Sequence, residues 1–173
     1  MKSPKTVILA VFLFLALPLS AKSGVWIGVD AVGSGVVADV SGNVCAQIEI
    51  GARMDMGAVI DEEYGFYGTA SVSVRTFAKQ YSRFVEVPSY LQFSLGGGGF
   101  YMFDSFSLAG DAALVAVKVG DGWEIGAEAR VCPRFMFGSL DVIRYSIGFP
   151  VVFTYTGNTV RCGLGVALRM EIY

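Results

Sequence analysis

From Val44 to Ala58 the chain alternates without a break. The even positions read Val44, Ala46, Ile48, Ile50, Ala52, Met54, Met56 and Ala58, all apolar or small. The odd positions read Cys45, Gln47, Glu49, Gly51, Arg53, Asp55 and Gly57. Successive side chains of an extended chain point to opposite faces, so a period of two sends one face of a β-strand to an apolar medium and the other to a polar one. A strand of this length far exceeds the roughly 5–6 residues common in soluble sheets and covers the roughly 9–11 that cross a bilayer.

The pattern recurs along the chain. In 65–78, Phe66, Ala70, Val72 and Val74 oppose Tyr67, Thr69, Ser71, Ser73 and Arg75; in 84–95, Val85, Val87, Leu91 and Phe93 oppose Glu86, Tyr90, Gln92 and Ser94. In 123–137, Trp123, Ile125, Ala127, Ala129, Val131, Phe135 and Phe137 oppose Glu124, Glu128, Arg130 and Arg134. The segment 143–155 sets seven apolar residues against Arg144, Ser146 and Thr154, and 160–172 sets Leu164 to Ile172 against Arg161, Arg169 and Glu171. Two strands are less regular: one at about 25–33, with Asp30 on its polar side, and one within 100–119, where a bulge near Gly110 is expected to change the register. Short turns separate them at 61–63, 79–82, Gly96 to Gly99, 120–122, 138–141 and 156–158, and 33–43 is the longest connection. Eight strands in series, with no helical pattern to cover a sheet edge, predict an all-β fold: a closed eight-stranded antiparallel up-and-down barrel.

Such a barrel can face either way, and composition chooses. Charged residues make up 16% of the chain, well below the roughly 25% of soluble domains. Lysine is confined to Lys22, Lys79 and Lys118 beyond the first twenty residues, too few for a soluble surface. Seven of the eight arginines fall on the polar face: Arg53, Arg75, Arg130, Arg134, Arg144, Arg161 and Arg169. They are met there by Asp30, Glu49, Asp55, Glu86, Glu124, Glu128 and Glu171, which suits an enclosed lumen, because guanidinium pairs with carboxylates in two-pronged fashion where lysine prefers open water. Aromatic residues gather near strand ends as interfacial girdles do, with Phe77, Trp123 and Tyr155 at one rim and Phe66, Phe100, Phe103, Phe135, Phe137 and Tyr173 at the other. The apolar face is therefore expected to look outward into lipid. The inverted arrangement, a soluble periplasmic lipocalin-like binder, is the alternative that the alternation alone leaves open.

Lys2 and Lys5 followed by an apolar run from Val7 to Leu17 and a small-residue exit at Ser20-Ala21 read as a signal peptide over 1–21, leaving 22–173 as the barrel. With that leader, eight amphipathic strands and a last strand Leu164-Gly165-Val166-Ala167-Leu168-Arg169-Met170-Glu171-Ile172-Tyr173, the chain resembles the small eight-stranded outer-membrane barrels of the OmpA, OmpX and OmpW type. The resemblance implies residence in the outer membrane of a diderm bacterium, with both termini periplasmic and lipid as the surrounding partner. The turns at 59–64, 96–99 and 138–141 would then be periplasmic. It also implies recognition of the last strand by the barrel-assembly machinery, although Tyr173 falls out of phase with the Leu164 to Ile172 face. From the OmpW type it carries a transport reading: a narrow channel or lateral exit for a small, apolar solute. The alternative is a barrel that is structural or meets surface partners without transport.

The residues exclude several classes. With no histidine, neither a Ser-His-Asp triad nor a His-bearing zinc site can form, and no cofactor or catalytic centre is expected. A formal charge of −2 without basic clusters offers no nucleic-acid surface. Glu124 and Glu128 stand four apart on one strand face, roughly 13 Å, too far to share acid/base chemistry. Cys45 and Cys132 are expected inside at different heights and Cys162 outside, so no internal disulfide is expected.

Overall fold

A computed structural model of the chain describes residues 25–39, 45–60, 63–80, 83–85, 90–140, 142–157 and 159–172; over 25–26, 34–39, 45–48, 75–80, 83–85 and at 119, 140 and 159 it describes the strand backbone alone. The leader, Tyr173, Glu86 and the side chains of Cys45, Arg75 and Phe77 lie outside the described parts.

The strands are β1 (Val25–Asp39), β2 (Cys45–Ile60), β3 (Tyr64–Gln80), β4 (Arg83–Val85), β5 (Tyr90–Phe103), β6 (Phe106–Val119), β7 (Gly122–Leu140), β8 (Ile143–Gly148), β9 (Val151–Thr156) and β10 (Thr159–Ile172). Every pairing is antiparallel, and β1 pairs with β10 from Ile27↔Ile172 to Asp39↔Arg161, which closes the ring. β8 and β9 are two parts of one stave, since both lie between β7 and β10, and β4 continues along β3 beyond the start of β5. The result is a closed ring of eight staves, with β4 paired on one side only among the described residues.

The β8–β9 break falls at Phe149-Pro150, where proline brings no N–H to the ladder. The ladder is bridged there all the same: the Phe149 N–H donates to the Pro133 carbonyl at 2.9 Å, and Gly165 N–H donates to the Pro150 carbonyl at 2.9 Å. Fourteen residues of β6 reach roughly 45 Å at about 3.3 Å per residue; tilted about 40°, they still exceed the apolar band of about 25 Å.

Closure decides which face looks out. Leu95 and Leu114 are each 70% exposed on the outside, while Asp30 and Asp55 on the inside are fully buried. The outer surface is an apolar belt built from Ile50, Met54, Leu114, Ile125, Phe153 and Leu168 among others. A lipocalin-like binder needs the reverse, an apolar lining, and the structure gives that face to the exterior.

Three expectations about boundaries are corrected. Gly96 to Gly99 form no turn; they run through the middle of β5, paired with Thr69 to Phe66 on one side and Ala113 to Gly110 on the other. The turn comes later, at Asp104-Ser105, where Asp104 adopts φ 48°, a left-handed conformation that a short polar side chain tolerates. Glycine was misread because it serves both turns and close backbone approach: a Cβ at Gly96 would stand 2.1 Å from the Ala112 carbonyl oxygen. No bulge occurs near Gly110, which pairs in register with Gly99 and Val131; the irregularities fall at Val36/Ala38, Gln47/Ile48 and Met136/Gly138. β1 extends to Asp39, because Gly33 to Val36 still pair with both β2 and β10, so the long connection shrinks to 40–44.

A charge placed on the belt tests its direction. Leu114→Arg is expected to destabilise the barrel in lipid vesicles by about 2–4 kcal/mol, and Lys118→Arg, near the strand end, by close to nothing. Urea titration of the folded fraction in vesicles measures both.

Candidate functional site in the lumen

The interior is filled by side chains from alternate positions of each stave. Toward the end of the barrel that carries the termini, four arginines and four carboxylates form one layer across it. Arg53 Nε lies 2.9 Å from Asp55 and its Nη2 2.8 Å from Asp111. Arg130 Nε donates to the same Asp111 oxygen at 3.0 Å and faces Asp30 and Asp55 at 3.8 and 4.0 Å. Arg169 Nη1 bridges Asp30 at 3.0 Å and Asp55 at 2.6 Å, while its Nε pairs with Glu171. Arg134 Nη2 stands 3.6 and 3.8 Å from Asp30 and Asp55. All four arginine side chains are at least 97% buried.

Burying one charge in a medium of low dielectric is costly, and the cost is offset only where opposite charges meet with good geometry. A shared lattice does that more fully than separate pairs, because each of the central carboxylates, Asp30 and Asp55, answers to at least three guanidiniums.

Tyr67 ties a further stave into the layer. It lies on β3 opposite Gly98 of β5, which in turn lies opposite Asp111 of β6. Two strand spacings, roughly 9.5 Å, separate β3 from β6. With no side chain at Gly98, the ring of Tyr67 crosses the gap, stacks on Phe100 at 6.4 Å and donates its hydroxyl to Asp111 at 2.9 Å. Phe100 is therefore buried in the lumen and no girdle residue, since an unbroken β5 puts it in phase with Gln92 and Ser94.

The remaining residues predicted from the sequence fall as follows. Glu49, Glu124, Glu128, Arg144 and Arg161 are inside but outside this layer; Glu128 accepts from Gln92 Nε2 at 3.0 Å, Glu124 sits beside Gly157, and Arg161 stacks over the Tyr90 ring at 5.7 Å. Phe66, Trp123, Phe135, Phe137 and Tyr155 are exposed on the outer face. The aromatic surface forms an arc: Tyr101, Phe103, Phe106, Phe135 and Phe149 follow one another at 4.5 to 6.3 Å across β5 to the β8–β9 stave. Cys132 is buried inside and Cys162 faces outward.

Asp111, the hub for Arg53, Arg130 and Tyr67, was not among the predicted lumen residues. The expected bulge at Gly110 had put its register in doubt. The signal was present: counting back from the two-residue turn at Gly120-Asp121 sets Asp111 opposite Arg130.

Two variants weigh the layer. Arg169→Leu strands Asp30, Asp55 and Glu171 together and is expected to cost about 3–5 kcal/mol; Tyr67→Phe, which removes one hydrogen bond to a buried carboxylate, about 1–3 kcal/mol. Gly98→Val should exceed Tyr67→Phe, because its Cβ would stand 2.1 Å from the Gly110 carbonyl oxygen. Equilibrium unfolding in vesicles gives the order.

No protein-family model matches the sequence, and no curated protein matches it. Among solved structures the chain is similar to Neisserial surface protein A, at 15% identity over 85% of this chain and 97% of that one, with a TM-score of 0.60. It also resembles Ail, the attachment invasion locus protein of Yersinia pestis, at 12% identity over 87% and 97% of the two chains, with a TM-score of 0.49. The fold is that of the small eight-stranded outer-membrane barrels.

Proposed function

We propose that this barrel resides in the outer membrane of a diderm bacterium, termini on the periplasmic side, as a closed, non-conducting and non-enzymatic barrel whose work lies in the membrane itself. The observation that carries the reading is the layer of Arg53, Arg130, Arg134 and Arg169 with Asp30, Asp55, Asp111 and Glu171, which leaves each of the four arginines at most 4% exposed. An ion crossing the lumen has to break several of these pairs at once. A side exit for a small apolar solute has to open a wall whose staves are hydrogen-bonded all round, so transport is the weaker reading.

The ends of the barrel point the same way. Opposite the termini, the strands are joined over 40–44, 81–82, 120–121 and 157–158, connections of two to five residues. So few residues between strands favour a structural part over binding at the tip. Partners on this reading are lipid around the apolar belt and, through the outward row Leu164, Val166, Leu168, Met170 and Ile172 of β10, the barrel-assembly machinery.

Planar bilayers test it. Folded protein, its insertion shown by a compact band that shifts on heating, is expected to give no unitary current steps, and the protein should fractionate with outer membranes. Reproducible steps from the unaltered protein overturn the closed-barrel reading; a soluble protein overturns the location.

A further inference from the structure

Next to the guanidinium layer, the lumen holds a cavity of about 40 Å³. Arg53, Ser73, Gln92, Glu128 and Arg130 stand on its wall, together with Glu49 and, from other staves, the apolar Val32 and Pro150. Arg53 and Arg130 match Glu49 and Glu128 in number, so neither a cation nor an anion meets a surplus of opposite charge here.

What the wall offers is both kinds of hydrogen-bonding group. Each guanidinium Nη carries two N–H donors. Arg53 Nη2 lies 2.8 Å from Asp111 and Arg130 Nη2 4.0 Å from Asp55, ionic contacts that leave both nitrogens without a directed hydrogen bond among the described residues. Gln92 donates its amide nitrogen to Glu128 at 3.0 Å, which leaves its Oε1 as an acceptor without a partner. Ser73 Oγ, able to donate or to accept, has no partner either. All four residues are at most 7% exposed. A buried donor or acceptor left unmatched is costly, and protein interiors meet such groups with bound water, each molecule making about three hydrogen bonds. One water needs roughly 10–15 Å³ of such space, so the cavity takes about three. A neutral molecule that donates and accepts at once suits a wall of unmatched donors and acceptors better than any ion.

We propose that this mid-lumen cavity is a hydration site, in which a cluster of about three bound waters bridges Arg53 Nη2 and Arg130 Nη2 to Gln92 Oε1 and Ser73 Oγ. The cluster joins β2, β3, β5 and β7 by hydrogen bonds beside the arginine layer. The inference rests on the closed-barrel reading, because an open lumen would exchange its water freely with the bulk.

The test uses the full-length barrel folded in detergent, with water itself as the probe. Oxygen-17 magnetic relaxation dispersion counts the waters held for longer than nanoseconds, and the difference between variants assigns them to the cavity. Ser73→Val, which replaces a hydroxyl by methyl groups, is expected to lower the count by at least about one and the melting temperature by several degrees. Val32→Ile adds one methyl group from the apolar part of the wall, leaves all four polar groups in place and should lower the count with little loss of stability. Glu124→Gln, beside Gly157, should leave the count unchanged. Exchange of sodium for choline, or of chloride for gluconate, at constant ionic strength should not move the melting temperature. A saturable shift with either ion would name an ion as the occupant and overturn the proposal. So would a count that neither Ser73→Val nor Val32→Ile changes. Absence of long-lived water overturns it as well: current steps in planar bilayers would trace that failure to an open lumen, and silent bilayers to the cavity alone.

Discussion

Arg169, between Asp30 of the first stave and Glu171 of its own, holds the ring where its two ends meet, and the other arginines and carboxylates of the layer are arranged around that contact. A barrel whose outside faces lipid gains nothing from burying apolar groups outward, because hydrocarbon is already there. The cross-links that give it one shape have to come from within. Here they are ionic: Asp55 from β2, Asp111 from β6 and Arg130 and Arg134 from β7 extend the same lattice around the circumference. A hydrophobic plug could fill the same space, but it would not set one stave against another with the same directionality as a guanidinium fork.

The lattice needs room, and small residues supply it. Gly96 and Gly98 leave the inner side of β5 bare, Ala109 and Ala113 do the same for β6, and the Tyr67 ring lies in the space so made. Along the barrel axis the lumen therefore changes character. On the side of the termini, guanidinium and carboxylate are matched one to one; toward the middle, Glu128 accepts from the Gln92 amide and the Thr154 hydroxyl. A lumen crossed by such a layer differs in chemistry from a water-lined one, although both have a polar lumen inside an apolar wall.

The outer surface is uneven as well. The aromatic arc from Tyr101 to Phe149 occupies the β5 to β8–β9 side, while the described residues of β1, β2 and β10 present Ile27, Met54, Leu168 and Met170. Aromatic rings favour the headgroup boundary and aliphatic chains the hydrocarbon, so the two flanks meet the bilayer differently near the end with the termini.

The strands themselves, and which residues share a face, were legible in the sequence, because the period of two is a local property of an extended chain: Ile50 and Met54 on one side of β2 and Glu49, Arg53 and Asp55 on the other need no knowledge of the fold. The Gly120-Asp121 turn was legible for the same local reason. The glycines at 96–99 were not, since a bare backbone suits a turn and a crowded strand equally, and only Tyr67 and Asp111 on the neighbouring staves decide between them. Phe100 and Asp111 were misplaced or missed as a consequence. Which arginine meets which carboxylate lay beyond any local reading: Arg169 reaches Asp30 across 139 residues of sequence. Only closure of the ring through β1 and β10 brings those groups within Coulomb range and turns the polar face inward.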